Sequence, residues 1–257
     1  MKVKDEIVIE VCATSIMSAI AADKGGAGRI ELCDNIHEGG TTPSYGSIKM
    51  ATEITNLDVC ILLRPRGGDF LYTDIEFEVM KQDIRIAKEL GAVGIVTGIL
   101  NSKGSVDLKR MQELIDLARP MQVVFHRAFD LCSDPIFVLN QLMDLGIDRL
   151  LTSGQQNKVM DGASLIRELV NISEGRIDIM PGSGINTSNF IELVEKTGAR
   201  NFHLTGRSPV FSDMQYQKEE VILNSFNHRL DFEWLETNSE IIAEIVRQSK
   251  LVNKKSP

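Results

Sequence analysis

Short apolar runs and amphipathic stretches alternate along the whole chain, and the alternation predicts a regular succession of strands and helices. Residues 7–11 (Ile-Val-Ile-Glu-Val) form too short an apolar run for a helix and predict the first strand. Thr14 or Ser15 then caps a helix with Ile16, Ala19 and Ile20 on one stripe, closed by Gly25-Gly26. Residues 29–33 are the second strand. A polar loop, 34–44, leads into a helix through about Thr55, and the third strand spans 58–64. Met80, Ile84, Ala87 and Leu90 mark the next helix face, followed by a strand at 94–97. Leu108, Met111, Ile115 and Ala118 mark another helix, and 122–126 another strand. Ser133-Asp134-Pro135 is a helix start with Pro suited to the first turn, and Gly146 a stop. A strand at 149–152, a helix near 161–170, a strand at 178–180, a helix near 187–197 and a strand at 201–205 complete eight strand–helix repeats.

A weak internal repeat supports that count. Gly26-Ala27, Gly91-Ala92, Gly146-Ile147 and Gly198-Ala199 each end a helix just before an even-numbered strand. Repeated quarters of this kind predict an α/β fold of the closed (β/α)8 TIM-barrel type. An open doubly wound sheet would carry a glycine-rich dinucleotide fingerprint after its first strand, and Glu10-Val-Cys-Ala-Thr-Ser15 is not one. The expectation is a single domain over 1–257: a barrel at about 7–207, an irregular rim segment at 208–234 and a closing helix at 238–248. The tail, 253–257, is expected to fray.

Composition narrows the function. With 43% hydrophobic and 25% charged residues the 257-residue chain reads as a soluble globular protein. No apolar run approaches the roughly 20 residues of a membrane helix. The N-terminus lacks a signal-peptide core, which predicts a cytoplasmic protein. A net charge of −8 argues against a nucleic-acid partner. The four cysteines are far apart, without a CxxC, so neither a zinc ribbon nor a disulfide framework is indicated.

Barrel sites lie at the C-terminal ends of the strands, and there this chain concentrates its chemistry. Strand one offers Glu10 and Cys12, strand two Glu31 and Cys33. The run Cys60-Ile-Leu-Leu-Arg-Pro-Arg-Gly-Gly-Asp69 delivers Arg64 and Arg66 from strand three, on one parity. Strand five ends in His126 and Arg127, followed by Asp130. After strand seven, Gly182, Ser183 and Gly184 read as a backbone cup for an anion, and Gly206-Arg207 after strand eight as its second half. Arg64, Arg66, Arg127 and Arg207 at one rim predict a small anionic ligand in an otherwise acidic protein. In an enzyme reading, Glu10, His126 and Asp130 are the proton-transfer candidates, acting on a phosphorylated or carboxylated metabolite.

The blocks Glu10-Val-Cys12, Arg29-Ile-Glu-Leu-Cys33, Glu38-Gly-Gly-Thr-Thr-Pro-Ser44, Leu63-Arg-Pro-Arg-Gly-Gly-Asp-Phe70, Phe125-His-Arg-Ala-Phe-Asp130, Leu151-Thr-Ser-Gly154 and Pro181-Gly-Ser-Gly-Ile185 resemble, in order, the signature blocks of the CutC copper-homeostasis family. The resemblance implies a cytoplasmic (β/α)8 barrel that forms a homo-oligomer and is tied by name to copper handling. It also implies Cys12 and Cys33 as the Cu(I) ligands, a role for which soft thiolates are chemically suited. Buried cysteine is equally a common core residue, and Glu10 and Glu31 nearby would oppose ionising the thiols. Cys60 and Cys132 read as core and loop residues, His37 as an outlying third ligand, and His228 and Trp234 as incidental. Two functions therefore stand: Cu(I) binding without turnover, and an enzyme with an arginine-rich rim.

Overall fold

Each predicted strand forms, and each pairs in parallel with its neighbours. The computed structural model describes residues 6–218, 221 and 231–253. Its strands are β1 (Val8–Ala13), β2 (Arg29–Leu32), β3 (Asp58–Leu62), β4 (Gly94–Thr97), β5 (Gln122–Phe125), β6 (Arg149–Thr152), β7 (Asp178–Pro181) and β8 (Asn201–Leu204). They run in the order β7-β6-β5-β4-β3-β2-β1-β8. A parallel bridge between Gly182 and His203 brings the two ends together, so the sheet is nearly closed into a ring. At Gly182 an added Cβ would lie 2.6 Å from Leu151 Cδ1, so only glycine lets the chain run this close to β6 at the seam.

The helices are α1 (Ile16–Lys24), α2 (Tyr45–Ile54), α3 (Asp74–Glu89), α4 (Leu108–Ala118), α5 (Pro135–Asp144), α6 (Ala163–Ser173), α7 (Phe190–Thr197) and α8 (Ser239–Asn253). Their starts follow from local chemistry. Ser15 accepts from the Ser18 N–H, Asp134 from the Phe137 N–H ahead of Pro135, and Thr73 with Glu76 forms a reciprocal capping box. The apolar stripes of these helices pack on the outward residues of the strands, as Ala19 and Ala22 do in one continuous layer with Ile9, Val11 and Ala13.

Inside the barrel the packing is different. Cys12, Cys33, Cys60, Leu62, Val96, Val124, Leu151 and Met180 form a small apolar cluster of their own. Buried among the inward positions are also Glu10, Arg29, Glu31, Arg149 and His203. A barrel core normally consists of bulky branched side chains; this one adds buried charged groups to its apolar cluster.

The expected irregular segment after β8 is ordered at both ends. Strand β9 (Arg207–Phe211) pairs antiparallel with β10 (Glu233–Thr237), with Arg207 opposite Thr237 and Phe211 opposite Glu233. The hairpin escapes sequence reading because Pro209 interrupts the first strand and the partners lie more than 20 residues apart. Residues 219–220 and 222–230, with His228 among them, and the tail 254–257 lie outside the described residues. Among the described residues no helix is long and apolar enough to cross a membrane.

Candidate functional site

The inward positions of β1, β2 and β8 meet through register. Glu10 stands beside Arg29 on one side and His203 on the other. Its fully buried carboxylate accepts from Arg29 Nε and, at 2.8 Å, from His203 Nδ1. Burial pushes the Glu10 carboxyl up, but the Arg29 guanidinium and then His203 outweigh it and hold the group well below the usual carboxylate range. For His203, burial favours the neutral ring, yet Glu31, Cys12 and Glu10 hold it as an imidazolium, well above the usual value. Arg29 Nη2 also donates to Asn201 Oδ1 at 3.2 Å, so the charges of this layer are largely satisfied internally.

One layer higher, Cys12 and Cys33 face each other with their Sγ atoms 3.5 Å apart. The contact arises because Cys33 extends β2 just beyond its paired length, its N–H donating to the Ala13 carbonyl at 3.0 Å. The hydrogen bond to Cys33, then burial, pushes the Cys12 thiol well up. Glu31 sits beside the pair, and Cys12, Glu31 and Cys33 offer donor atoms within 4.8 Å of one another. Glu31 Oε2 is buried without a hydrogen-bond partner, 3.8 Å from His203 Nδ1. Burial raises the Glu31 carboxyl to about 7, against the pull of the His203 charge. Cys60 lies deeper, its thiol pushed up to about 12 by burial and contacted by Arg149 Nη2 at 3.5 Å.

Cys12, Glu31, Cys33 and His203 form the floor of a pocket of about 460 Å³ at the C-terminal mouth of the barrel. Its wall includes Leu62, Arg64, Phe70, His126, Arg127, Lys158, Ser183, Gly184, Ile185 and Arg207. Arg64 Nη1 donates to the carbonyls of Glu38 (2.6 Å) and Gly40 (2.8 Å), and Nη2 to that of Gly68 (2.6 Å). The guanidinium thus ties the loop carrying Glu38 and Gly40 to the bend at Gly68. It also lies over Phe70 at 5.1 Å, and Phe70 stacks on His126 at 4.7 Å. His126 Nδ1 accepts from the Ala128 N–H at 3.2 Å, which places the proton of the neutral ring on Nε2. Burial and then Arg64 lower the His126 pKa to about 3, so the ring is neutral near pH 7.

The predicted site residues separate on inspection. Cys12, Cys33, Arg64, Arg127, His126, Ser183, Gly184 and Arg207 line the one pocket. Arg66 does not, a correction to the expected convergence. It pairs with Glu76 at 2.6 Å and Asp69 at 3.0 Å, in the bend at 65–68 just past β3. Glu10 is enclosed below the pocket. Asp130 is saturated by Thr152 Oγ1, the Ser153 and Gln155 N–H groups and Arg127, and it does not line the pocket. Gly182 is used at the seam. Gly206 packs against α8, where an added Cβ would meet Ile242 Cδ1 at 2.5 Å. Ser183 Oγ is turned to the Asn157 carbonyl at 2.8 Å.

Three participants escaped the sequence reading. Lys158 enters from the loop after β6 and lies across Gly184, whose missing Cβ leaves room for the lysine stem. Gly98, at the end of β4, leaves room for the His126 ring, since a Cβ there would stand 2.7 Å from Nδ1. Phe70 spaces the arginine from the histidine. Gly98 had a signal, a glycine at a strand end, and Phe70 closed the signature-like block at 63–70; Lys158 had none.

The fold and its mouth define a (β/α)8 barrel with a thiol pair and a cationic wall in one pocket. The model of the CutC family matches residues 7–208. A family protein CutC from Parabacteroides distasonis is 48% identical over 234 residues, covering 91% of this chain and 96% of the relative. The copper homeostasis protein cutC homolog of Homo sapiens is 44% identical over 218 residues, covering 85% of this chain and 80% of the relative. The crystal structure of CutC from Streptococcus agalactiae aligns with a TM-score of 0.74 at 37% identity, over 77% of this chain and 98% of that one. The chain belongs to the CutC family.

Proposed function

We propose that the protein serves copper homeostasis by holding Cu(I) between the sulfurs of Cys12 and Cys33. The observation that carries this reading is the 3.5 Å approach of two thiols, from adjacent strands, at the floor of the mouth pocket. The donor set fits a soft monovalent ion. Two thiolates suit Cu(I), whereas a structural zinc site takes four nitrogen or sulfur ligands. Among the described residues the third donor of this group is the Glu31 carboxylate, and His203 Nδ1 is already engaged by Glu10. The copper homeostasis name carried by the human relative supports the same reading.

The chain's own residues set the terms of loading. The Cys12 thiol is held protonated, because its hydrogen bond to Cys33 and its burial both disfavour the thiolate. Cu(I) therefore displaces the Cys12 proton as it binds, and affinity rises with pH. The His203 imidazolium next to Cys12 offsets part of the negative charge that then appears in a poorly solvated place. An anaerobic Cu(I) titration against a competing chelator tests the proposal. Near-stoichiometric binding that Cys12→Ser and Cys33→Ser each abolish is expected. Binding unchanged in both variants refutes it.

A further inference from the structure

The wall of the mouth pocket holds charge that the thiol pair does not use. Arg64 is 5% exposed, and among the described residues no carboxylate lies within ion-pair distance of it; its only acceptors are backbone carbonyls. Its Nε–H has no acceptor, and neither does the buried Nε2–H of His126 beside it. Lys158 and Arg207 complete the wall. Among the described residues neither has an ion-pair partner. Arg127, by contrast, is neutralised by Asp130 at 2.7 Å. Among the described residues lining this pocket, Arg64, Lys158 and Arg207 thus stand without an ion pair beside a single carboxyl group, Glu31, although Arg207 also borders a neighbouring hollow with Asp34, Glu233 and Glu236.

We propose that this pocket is a binding site for a small organic oxyanion, a phosphate ester or a carboxylate, countered by Arg64, Lys158 and Arg207. The physical reason is cost. Like charges gathered around one partly desolvated space repel, and buried donors without acceptors forfeit hydration. A ligand oxyanion relieves both at once, through charge-assisted hydrogen bonds. Size points the same way. A volume of about 460 Å³ falls within the roughly 300–1,000 Å³ of small-molecule sites, far more than a bare metal ion fills. A purely structural role explains Arg64, which pins two loops. It does not explain Lys158, an exposed side chain that Gly184 lets lie along the wall. The site goes beyond copper binding and does not depend on it.

The test is a thermal-shift and calorimetric titration of the full chain with glycerol 3-phosphate, ribose 5-phosphate, succinate and inorganic phosphate, at ionic strength fixed with NaCl. At least one organic anion is expected to raise the melting temperature saturably and further than inorganic phosphate does. Lys158→Met and Arg207→Gln, both away from the buried core, are each expected to weaken its Kd by about tenfold. Their unliganded melting temperatures are expected to match or slightly exceed the parent's, because each change removes one of the mutually repelling cations. Cys12→Ser is expected to keep anion binding while losing copper, which separates this site from the thiol pair. A flat response over the panel, inorganic phosphate matching every organic anion, parent-like affinity in both variants, or loss of anion binding in Cys12→Ser each overturns the proposal.

Discussion

Glu10→Gln is the sharpest probe of how this barrel is held together. The substitution keeps size and shape but removes the carboxylate that accepts from both Arg29 Nε and His203 Nδ1. The glutamine offers one oxygen where two cations expect two, and its own N–H group is turned toward one of them. Arg29 and His203 are both buried, so neither recovers hydration. Breaking a buried ion pair from one side costs about 3–5 kcal/mol. In a chain of this size each kcal/mol is worth roughly 2–4 °C in melting temperature, so a drop of roughly 6–20 °C is expected. The assay is urea unfolding followed by far-ultraviolet circular dichroism, with Arg29→Met and the double variant completing a cycle. Because Arg29→Met removes the stranded charge, the double variant is expected to recover part of the loss, giving a coupling of about 1–3 kcal/mol. A loss below about 1 kcal/mol for Glu10→Gln, or strict additivity in the cycle, refutes the view that these charges support one another inside the barrel.

Two further outcomes follow from the wall of the mouth. His126 has a folded pKa near 3, against about 6.5 when unfolded, so the unfolded chain binds a proton that the native one refuses. Its contribution to stability is therefore complete above about pH 6.5 and lost as pH falls toward 3, by up to about 1.4 kcal/mol per pH unit; His126→Gln is expected to flatten that limb in urea titrations at pH 5 and 7, and an unchanged slope refutes it. Gly98→Ala puts a Cβ 2.7 Å from His126 Nδ1, which forces the ring off the Ala128 N–H. A loss of about 1–3 kcal/mol is expected from such overpacking, and a melting temperature equal to the parent's counts against the close approach.

Periodicity in the sequence determined the eight strands, their parallel order and the helix starts, because those features rest on short-range causes. Side-chain alternation and caps such as Ser15 and Asp134 act within a few residues, where the chain's own pattern is visible. Alternation also placed Cys12, Cys33 and Arg64 on inward positions at the right end of the barrel. Which inward residues meet was decided elsewhere. The stagger between β1 and β2, and the closure of the ring at Gly182 and His203, set which residues are neighbours across the barrel. That stagger put Glu10 in a satisfied network below the pocket, where sequence position alone had offered it as a reactive group. Ion pairs with Glu76 and Asp69 took Arg66 out of the pocket, although its parity matched that of Arg64. Lys158 and Phe70 entered from loops, whose direction no local period encodes. The sequence thus specified the strand ends as the place of chemistry. Register, ring closure and loop paths then decided which charges were spent on one another and which were left facing the pocket.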